Sequence, residues 1–351
     1  MAYSTVSKST DFFQTKRYVG TGSELAVTGV GFQPGFTWFR NASATQHQQI
    51  YDAARGAGEV VYSNLSNAEG TVTEQLKSFD ADGYTIGTDG SLNESGETFT
   101  SWNFKTGTTS GITGGTITPT AYSINTTSKF GCYTYAGTGA NATLAHGLGA
   151  APSLVMTKSL GDTSPWAVWC KGLTNTEYLV LNDSAAKGTG ASNMWNSTSP
   201  TDTLISFGSD GQTNGSGKTF ICYAWADVPG YQLAANYMGN GQAIGSYIAC
   251  GFKPTFVMTK RADSSENWTL QTSVAGDAIT GSNGRYNPTY DFYLPDTNTL
   301  PGAGGAPIDF YSTGFKLRTT STYINADGGI YNFLAIGQPI VGSTNVITTA
   351  R

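Results

Sequence analysis

Two short phrases recur three times along this chain at nearly constant spacing, and no other feature limits its fold as strongly. The first phrase is an aromatic residue with spaced glycines, "YVGTG", "YAGTG" and "YMGNG", beginning at Tyr18, Tyr135 and Tyr237. The second is a proline that opens an apolar run, at Pro34, Pro152 and Pro254. Subtraction gives tyrosine-to-proline spacings of 16, 17 and 17 residues. Because a fixed period marks repeated units, the chain is predicted to contain three copies of one unit.

A third phrase closes each copy and predicts a turn followed by a strand. It reads asparagine, any residue, serine or aspartate, then glycine, with the outer residues at Asn93 and Gly96, Asn214 and Gly217, and Asn325 and Gly328. Glycine readily supplies the positive φ that a tight hairpin turn requires. In the first copy the following stretch is "TFTSWNFK", in which Phe99, Ser101 and Asn103 alternate with Thr100, Trp102 and Phe104. That period of two is typical of a half-buried strand.

The rest of the sequence favours an all-β fold. The chain contains 45 glycines among 351 residues, and 12% of its residues are aromatic. No segment shows a sustained apolar stripe at helical spacing, whereas short strands and glycine-rich turns are frequent. We therefore predict three tandem β-sandwich or jelly-roll-like repeats of one topology. The length suggests two or three folding units, each large enough for its own core.

The landmarks divide the chain into six segments. Residues 105–128 are rich in glycine and threonine, which predicts a flexible linker. The second and third copies join almost directly at "ADVPGYQ", so they are expected to pack together. The predicted segments are an N-terminal arm at 1–11, repeat 1 at 12–104, the linker at 105–128, repeat 2 at 129–228, repeat 3 at 229–338 and a C-terminal tail at 339–351.

Charge and reactive residues exclude several function classes. The formal net charge is −5 and the 19 lysines and arginines do not cluster, which argues against a nucleic-acid partner. No apolar run is long enough for a membrane helix, and no secretion signal opens the chain, so synthesis in a cytoplasm is expected. The four cysteines form no CxxC pair, and the histidines, His47 and His146, are isolated. No metal, cofactor or catalytic residue is therefore expected, and Cys170, Cys222 and Cys250 are predicted to be buried thiols.

Carboxylates leave one enzymatic alternative open. A glycosidase needs two carboxylates across a sugar ring, and the candidates are Asp80 with Asp82, and Glu94 with Glu97. Aspartate followed by glycine is also an ordinary turn pair, and the full calcium-loop spacing is missing. We favour the structural interpretation.

The aromatic residues are predicted to divide between core and surface. Most lie on alternating strand positions and are assigned to the core, namely Phe36, Trp38, Trp102, Trp225, Phe256 and Phe315. Three tryptophans lie beside loops and are the candidates for a shallow surface-binding site, namely Trp166, Trp195 and Trp268. Such a site would make the chain a sugar-binding module without catalysis.

Several phrases together resemble a repeat-bearing family of structural proteins of tailed bacteriophages, common in phages of marine bacteria. The phrases are "SFDADGYTIG", "NESGETFTSWNFK", "NTEYLVLNDSAA" and "STGFKLRTT", together with the two opening landmarks. The resemblance spans residues 12–336, although the third copy departs from it at "NADGGIYNFLAIG". It implies a non-enzymatic virion protein made in the host bacterial cytoplasm and exposed on the particle. It provides no catalytic residues.

This resemblance sets the expectations for position and partners. A tail or tail-fibre component and a head decoration protein both fit, with a contribution to host attachment. The expected partners are other virion proteins, identical chains in a homo-oligomer such as a trimer, and a host-surface glycan. The N-terminal segment "MAYSTVSKSTDFF" is expected to dock onto a neighbouring virion protein or an identical chain, and deletion of residues 1–10 is expected to abolish incorporation into particles while leaving the protein folded. The alternatives are a carbohydrate-binding module and a polysaccharide-degrading tail enzyme.

Overall fold

The computed structural model describes residues 4–273, 289, 291–303 and 305–341, and within them nearly all regular structure is β-strand. The two helical elements there are a 3-10 turn at Ser9–Asp11 and the single turn α1 at Gly90–Asn93. The all-β prediction is therefore confirmed. Repeat 1 holds β1 Phe13–Val19, β2 Leu25–Thr28, β3 Pro34–Asn41, β4 Gln49–Asp52, β5 Gly56–Tyr62, β6 Gly70–Thr71, β7 Leu76–Asp80, β8 Gly83–Ile86 and β9 Thr98–Lys105.

The remaining strands follow in the same way along the chain. The segment up to the end of repeat 2 holds β10 Ala121–Asn125, β11 Phe130–Ala136, β12 Ala142–Ala145, β13 Pro152–Ser159, β14 Ala167–Cys170, β15 Leu179–Val180, β16 Leu204–Phe207 and β17 Thr219–Ala226. Repeat 3 holds β18 Gln232–Met238, β19 Tyr247–Ala249, β20 Phe252–Arg261, β21 Thr269–Thr272, β22 Asp291–Phe292, β23 Gly302–Ala303, β24 Ile308–Tyr311, β25 Gly314–Leu317 and β26 Ile330–Pro339.

One pairing pattern occurs in all three main sheets. The strand that closes each repeat lies between the first strand and the proline strand, as in β1-β9-β3, β11-β17-β13 and β18-β26-β20, and every pair is antiparallel. The register of the closing strand shifts just after the proline in each copy, since proline lacks the N–H that a regular ladder needs. The shifts lie between Pro34 and Phe36, Pro152 and Leu154, and Pro254 and Phe256.

Each main sheet carries a smaller antiparallel sheet, and the arrangement is β-sandwich-like. The small sheets are β2-β8-β7, β12-β16 and β19-β25-β24. In repeat 1 the space between the sheets is filled by Val27, Phe39, Tyr51 and Tyr84, all at most 4% exposed. Repeat 3 has a separate cluster of the same kind, which includes Phe315.

In addition to the separate clusters of repeats 1 and 3, all three repeats share one aromatic core, which the sequence did not predict. Phe36 of repeat 1 contacts Tyr223 of repeat 2 at a ring-centroid distance of 4.9 Å. Phe13 of repeat 1 contacts Phe256 of repeat 3 at 5.4 Å, and Phe104 contacts Phe130 of repeat 2 at 4.8 Å. The amphipathic strands therefore bury both faces, one inside their own sandwich and one against the other repeats.

The predicted flexible linker at residues 105–128 is instead part of the fold. Its last residues form β10, which pairs with β11 and extends the sheet of repeat 2. Thr108 and Ile124 exchange two backbone hydrogen bonds of 3.0 Å, and Ile117 is only 4% exposed. Composition was misleading here because a few buried isoleucines and a paired edge strand are enough to order a glycine-rich segment.

The described part of the N-terminal arm packs on its own chain, and its docking onto a neighbouring chain stays a prediction. Val6 is fully buried in the shared core. The backbone N–H and the hydroxyl of Ser9 donate to Gln338 Oε1 at 3.0 and 2.9 Å, and Gln338 Nε2 donates to the carbonyl of Ser7 at 3.1 Å. Removal of the arm would therefore expose core surface and disturb the last strand of repeat 3.

The tyrosine and asparagine landmarks meet in one hydrogen-bonded latch in each repeat. In repeat 2, Tyr135 Oη donates to the carbonyl of Thr213, the residue before Asn214. The fully buried Asn214 accepts from the backbone N–H of Thr138 at 2.7 Å and donates to the carbonyl of Ala140 at 2.6 Å. The other repeats have equivalent bonds: Tyr18 and Tyr237 each donate to the carbonyl of the residue before the asparagine, and Asn93 and Asn325 each accept from one backbone N–H and donate to one carbonyl near the tyrosine.

The glycines of the landmarks have two distinct roles in the latch. Gly96, Gly217 and Gly328 have φ values of +82°, +73° and +68°, which confirms the positive φ predicted for the turn. Gly137, beside Tyr135, allows close approach, because a Cβ there would lie 2.2 Å from the carbonyl oxygen of Gly215.

Replacement of Asn214 with alanine is expected to lower the free energy of unfolding by about 2 kcal/mol, because it leaves buried N–H and carbonyl groups without hydrogen-bond partners. Chemical denaturation of both proteins measures the difference. The control is Asn193→Ala, at an exposed asparagine of the same repeat. Equal losses in the two variants would show that the latch contributes nothing specific.

Candidate functional site

The outer face of the small sheet in repeat 3 displays two tyrosines. Side chains of a strand point alternately to opposite faces. On β19, Ile248 is 7% exposed and points into the sandwich, whereas its neighbour Tyr247 is 45% exposed. On β24, Phe310 is 5% exposed and Tyr311 is 41% exposed. The same alternation that builds the core therefore places both phenol rings in solvent.

The two rings contact each other and are held by polar neighbours. Their centroids lie 5.8 Å apart at an interplanar angle of 84°. Tyr247 Oη forms a hydrogen bond with Thr313 Oγ1. Asp309 Oδ2 accepts from Tyr311 Oη at 3.4 Å and pairs with Arg318 Nε at 2.6 Å. These five residues form what we call the tyrosine face.

The corresponding faces of the other repeats carry no such pair. Tyr247 lies opposite Lys316 in the ladder, and the residues at its place are Ala26 in repeat 1 and Thr143 in repeat 2. Tyr311 lies opposite Gly314, and Asp80 takes its place in repeat 1. The scaffold therefore forms without aromatic residues at these positions. Our sequence interpretation missed both tyrosines, although an alignment of the three copies would have shown them.

Exposed apolar side chains are concentrated in the same repeat. Met238 and Ile330 are 64% and 42% exposed and face each other across β18 and β26. Outside repeat 3, the described residues include one comparable side chain, Val19. The full set within repeat 3 is Met238, Ile244, Tyr247, Leu300, Tyr311 and Ile330. This distribution distinguishes repeat 3 from its two neighbours.

The three tryptophans proposed as surface candidates are buried, so that prediction is wrong. Trp166, Trp195 and Trp268 are 0%, 3% and 3% exposed. Trp166 Nε1 donates to the carbonyl of Tyr62 in repeat 1 at 2.9 Å. Trp268 Nε1 donates to the carbonyl of Val180 in repeat 2, also at 2.9 Å. Trp166 therefore joins repeat 2 to repeat 1, and Trp268 joins repeat 3 to repeat 2. Repeats 2 and 3 pack together as expected.

Gln48 occupies the place of Trp166 and Trp268 in repeat 1. Its side chain makes the third contact between repeats, and we call these three interfaces the seams. Its Nε2 donates to the carbonyl of Leu294 in repeat 3. The backbone N–H at this place makes the same type of bond in each repeat, to the side-chain oxygen of an asparagine or aspartate further along the chain. The donors and acceptors are Gln48 and Asn64, Trp166 and Asn182, and Trp268 and Asp296. Trp195 instead packs inside repeat 2 against Phe207, with centroids 6.2 Å apart.

Three of the four candidate glycosidase carboxylates, Asp80, Asp82 and Glu97, accept hydrogen bonds within repeat 1, whereas Glu94 is exposed. Asp82 accepts from the backbone N–H groups of Gly31 and Gly29 at 2.6 and 3.0 Å, and these bonds lower its pKa. Asp80 accepts from Ser78 and Thr85, both at 2.7 Å. These contacts fix the ends of β7 and β8.

The thiols and one histidine are also structural. Cys170 and Cys222 are buried as predicted, and burial raises the pKa of Cys170 to about 12, whereas Cys250 is partly exposed. His146 Nδ1 accepts from the backbone N–H of Leu148, and burial lowers the pKa of this histidine. Within the described residues, no group of three or more histidine, cysteine, aspartate or glutamate side chains could hold a metal ion.

Comparison with known proteins identifies a family. No curated protein and no solved structure matches the chain. In the part of the chain that the structure describes, no helix has the length and apolar character to cross a membrane. One family profile matches residues 8–339, which include all three repeats and the latches. The chain therefore belongs to the family described as "Domain of unknown function (DUF7483)".

Proposed function

We propose that this protein is a non-enzymatic structural protein of a tailed-phage particle, exposed on the particle and attached to a neighbouring particle protein through repeat 3. The observation that carries the proposal is the tyrosine face, which exposes two aromatic rings at positions where the other repeats have alanine, threonine or aspartate. The resemblance to virion proteins in the sequence supports the particle as the setting.

The composition of the exposed surface favours a protein partner for repeat 3. Tyrosine and methionine are enriched in protein interfaces, where rings supply contact area at a low cost in conformational entropy. Met238 and Ile330 add aliphatic surface near the closing turn of the repeat. Arg318 and Asp309 provide a polar rim in which both charges are already paired.

The contacts between the repeats suit a protein that presents a fixed surface to a partner. Three seams join the repeats, at Trp166, Trp268 and Gln48, and a shared core lies between them. The described arm ties the beginning of repeat 1 to Gln338 in the last strand. Such a body can present a fixed surface to a partner without ordering loops on binding, which lowers the entropic cost.

The double variant Tyr247→Ala with Tyr311→Thr is expected to reduce incorporation into particles at least about tenfold while leaving thermal unfolding unchanged. Loss of aromatic anchors from an interface typically costs 2 kcal/mol or more, about a thirtyfold loss in affinity. Quantitative mass spectrometry of purified particles measures copy number. The matched control is Thr143→Ala with Ser206→Ala on the corresponding face of repeat 2.

Two results would contradict the proposal. One is absence of the protein from purified particles, which would remove the virion role. The other is normal incorporation of the double variant, which would show that repeat 3 does not make the contact. The alternative of a polysaccharide-degrading enzyme predicts that the purified protein shortens host glycans, which gel filtration of the products would detect.

A further inference from the structure

A cleft of about 280 Å³ opens at the edge of repeat 2, where the proline strand begins. Its floor and walls combine apolar rings with hydroxyl and charged groups, which is the usual make-up of a small-molecule site. The residues that matter here are Pro152, Ser153, Trp169, Lys171, Pro200 and Asp227. We call this the repeat-2 cleft.

The charged groups at the rim form one ion pair. Lys171 Nζ lies 3.1 Å from Asp227 Oδ2, and the side chains are 63% and 26% exposed. Asp227 Oδ1 accepts from the backbone N–H of Ala234 at 2.9 Å, which fixes the carboxylate. An anionic ligand would meet Asp227 and a cationic ligand would meet Lys171. The pair therefore suits a neutral ligand that can both donate and accept hydrogen bonds.

Trp169 contributes the exposed edge of its side chain to the apolar lining of the cleft. The residue is 5% exposed, and its buried Nε1 makes no hydrogen bond to the protein. Pro152 and Pro200 add further apolar lining.

The wall that carries Pro200 is built with an unusual backbone. Asn196 and Ser197 have consecutive positive φ values of +51° and +48°. A serine in this region is disfavoured, and such strain persists where the surrounding structure fixes it. Here Ser199 Oγ donates to Asn175 Oδ1 at 2.9 Å, which anchors the loop next to Pro200.

The Lys171–Asp227 ion pair distinguishes the cleft of repeat 2 from the corresponding positions of the other two repeats. Gln338 takes the place of Asp227 in repeat 3, and there the N–H and hydroxyl of Ser9 bind it from within the chain. In repeat 1 the corresponding cleft of about 260 Å³ has Ala53 and Thr106 in place of the ion pair. Repeat 3 thus fills this position with a hydroxyl-bearing segment, whereas repeats 1 and 2 leave it open, and only repeat 2 places an ion pair at the rim.

We propose that the repeat-2 cleft binds one neutral pyranose residue of a glycan. The ring hydroxyls donate to Asp227 and accept from Lys171, while an apolar ring face packs against Pro200 and the exposed edge of Trp169. The binding itself is independent of the proposed virion role, although its use in host attachment rests on that role. The cleft and the tyrosine face lie on different repeats, so the two proposals can fail separately.

Saturation-transfer NMR of the intact protein with the methyl glycosides of glucose, galactose and mannose tests the proposal. At least one glycoside is expected to bind. The variant Lys171→Met keeps the side-chain stem and removes the charge-assisted hydrogen bond, so affinity is expected to fall about tenfold. Asp227→Asn is expected to weaken binding in the same direction.

The matched control is Lys218→Met, which removes the ion pair with Asp162 at the opposite end of β17. It is expected to leave binding unchanged, and circular dichroism confirms that all variants are folded. Absence of transfer to every glycoside would overturn the proposal. Equal binding by the native protein and Lys171→Met would overturn it as well.

Discussion

Replacement of Arg55 with methionine is expected to lower the free energy of unfolding by about 3–5 kcal/mol, because it leaves a buried carboxylate without its cation. Arg55 Nε lies 2.6 Å from Asp52 Oδ2, and both side chains are at most 2% exposed. Arg55 also pairs with Glu69 at 3.0 Å and donates to Tyr223 of repeat 2 at 3.3 Å. Urea denaturation with a linear extrapolation measures the loss.

The pKa of Arg55 explains why the loss should be large. Burial lowers its pKa, but Asp52, Tyr223 and Glu69 more than offset that effect, so the pKa is raised overall. The guanidinium is therefore charged at every accessible pH. Its charge is balanced at the seam between repeats 1 and 2.

A second variant separates the ion pair from general packing. Cys170 and Thr272 occupy the place of Asp52 in the other repeats, so the fold tolerates a neutral residue there. The double variant Asp52→Asn with Arg55→Met is expected to recover more than half of the lost stability. The control Lys77→Met breaks an exposed pair with Glu24 and should cost less than about 0.5 kcal/mol. A loss of that small size at Arg55 would contradict the prediction.

Replacement of Asp296 with asparagine is expected to stabilise the protein at pH 8 by about 2 kcal/mol and to have little effect at pH 4. Burial raises the pKa of Asp296 to about 7, although hydrogen bonds from its own and the Trp268 backbone N–H groups and the charge of Lys260 oppose the shift, and Asp183 adds to it. The folded protein thus holds a proton that the unfolded chain releases near pH 4. That contribution to stability is full below pH 4 and is lost as the pH rises to 7.

Each unit of pKa shift corresponds to about 1.4 kcal/mol of stability. The expected gain at pH 8 is smaller than the full pKa shift of Asp296 would give, because partial solvation of the carboxylate reduces the effect. Thermal unfolding at pH 4, 6 and 8 measures the difference between variant and native protein. The mirror variant Asn182→Asp at the matching place in repeat 2 should lose stability over the same pH range. A gain that is independent of pH would show that ionisation of Asp296 is not its cause.

One chain with three repeats can make its seams chemically different. The seam between repeats 1 and 2 holds the Arg55 pair, whereas the seam between repeats 2 and 3 holds Lys260, whose Nζ donates to the carbonyls of Ser184 and Ala185. Burial lowers the pKa of Lys260 to about 8. Three identical chains around an axis would have three identical seams. The internal repeat therefore allows separate tuning of stability and of surface chemistry.

The sequence alone was enough to predict the all-β class, the turn glycines and the proline strands. These features depend on residues close together in the chain, such as the alternation in "TFTSWNFK" and the positive φ of Gly96. Local backbone geometry follows from local sequence because side-chain period and turn conformation are set within a few residues. The near-constant tyrosine-to-proline spacing covers the end of the first strand, one strand of the small sheet and the start of the proline strand, all within 17 residues of the chain.

Only the tertiary structure decided the roles of the tryptophans, the linker and the exposed faces. Trp166 bonds to Tyr62, 104 residues away, and Trp268 bonds to Val180, 88 residues away. A tryptophan beside a loop has the same local sequence whether the loop meets solvent or another repeat. The tyrosine face and the repeat-2 cleft depend on the same choice, because exposure is settled by which sheets pack together. Burial of both faces of each main sheet is a property of the three repeats together, and no single repeat encodes it.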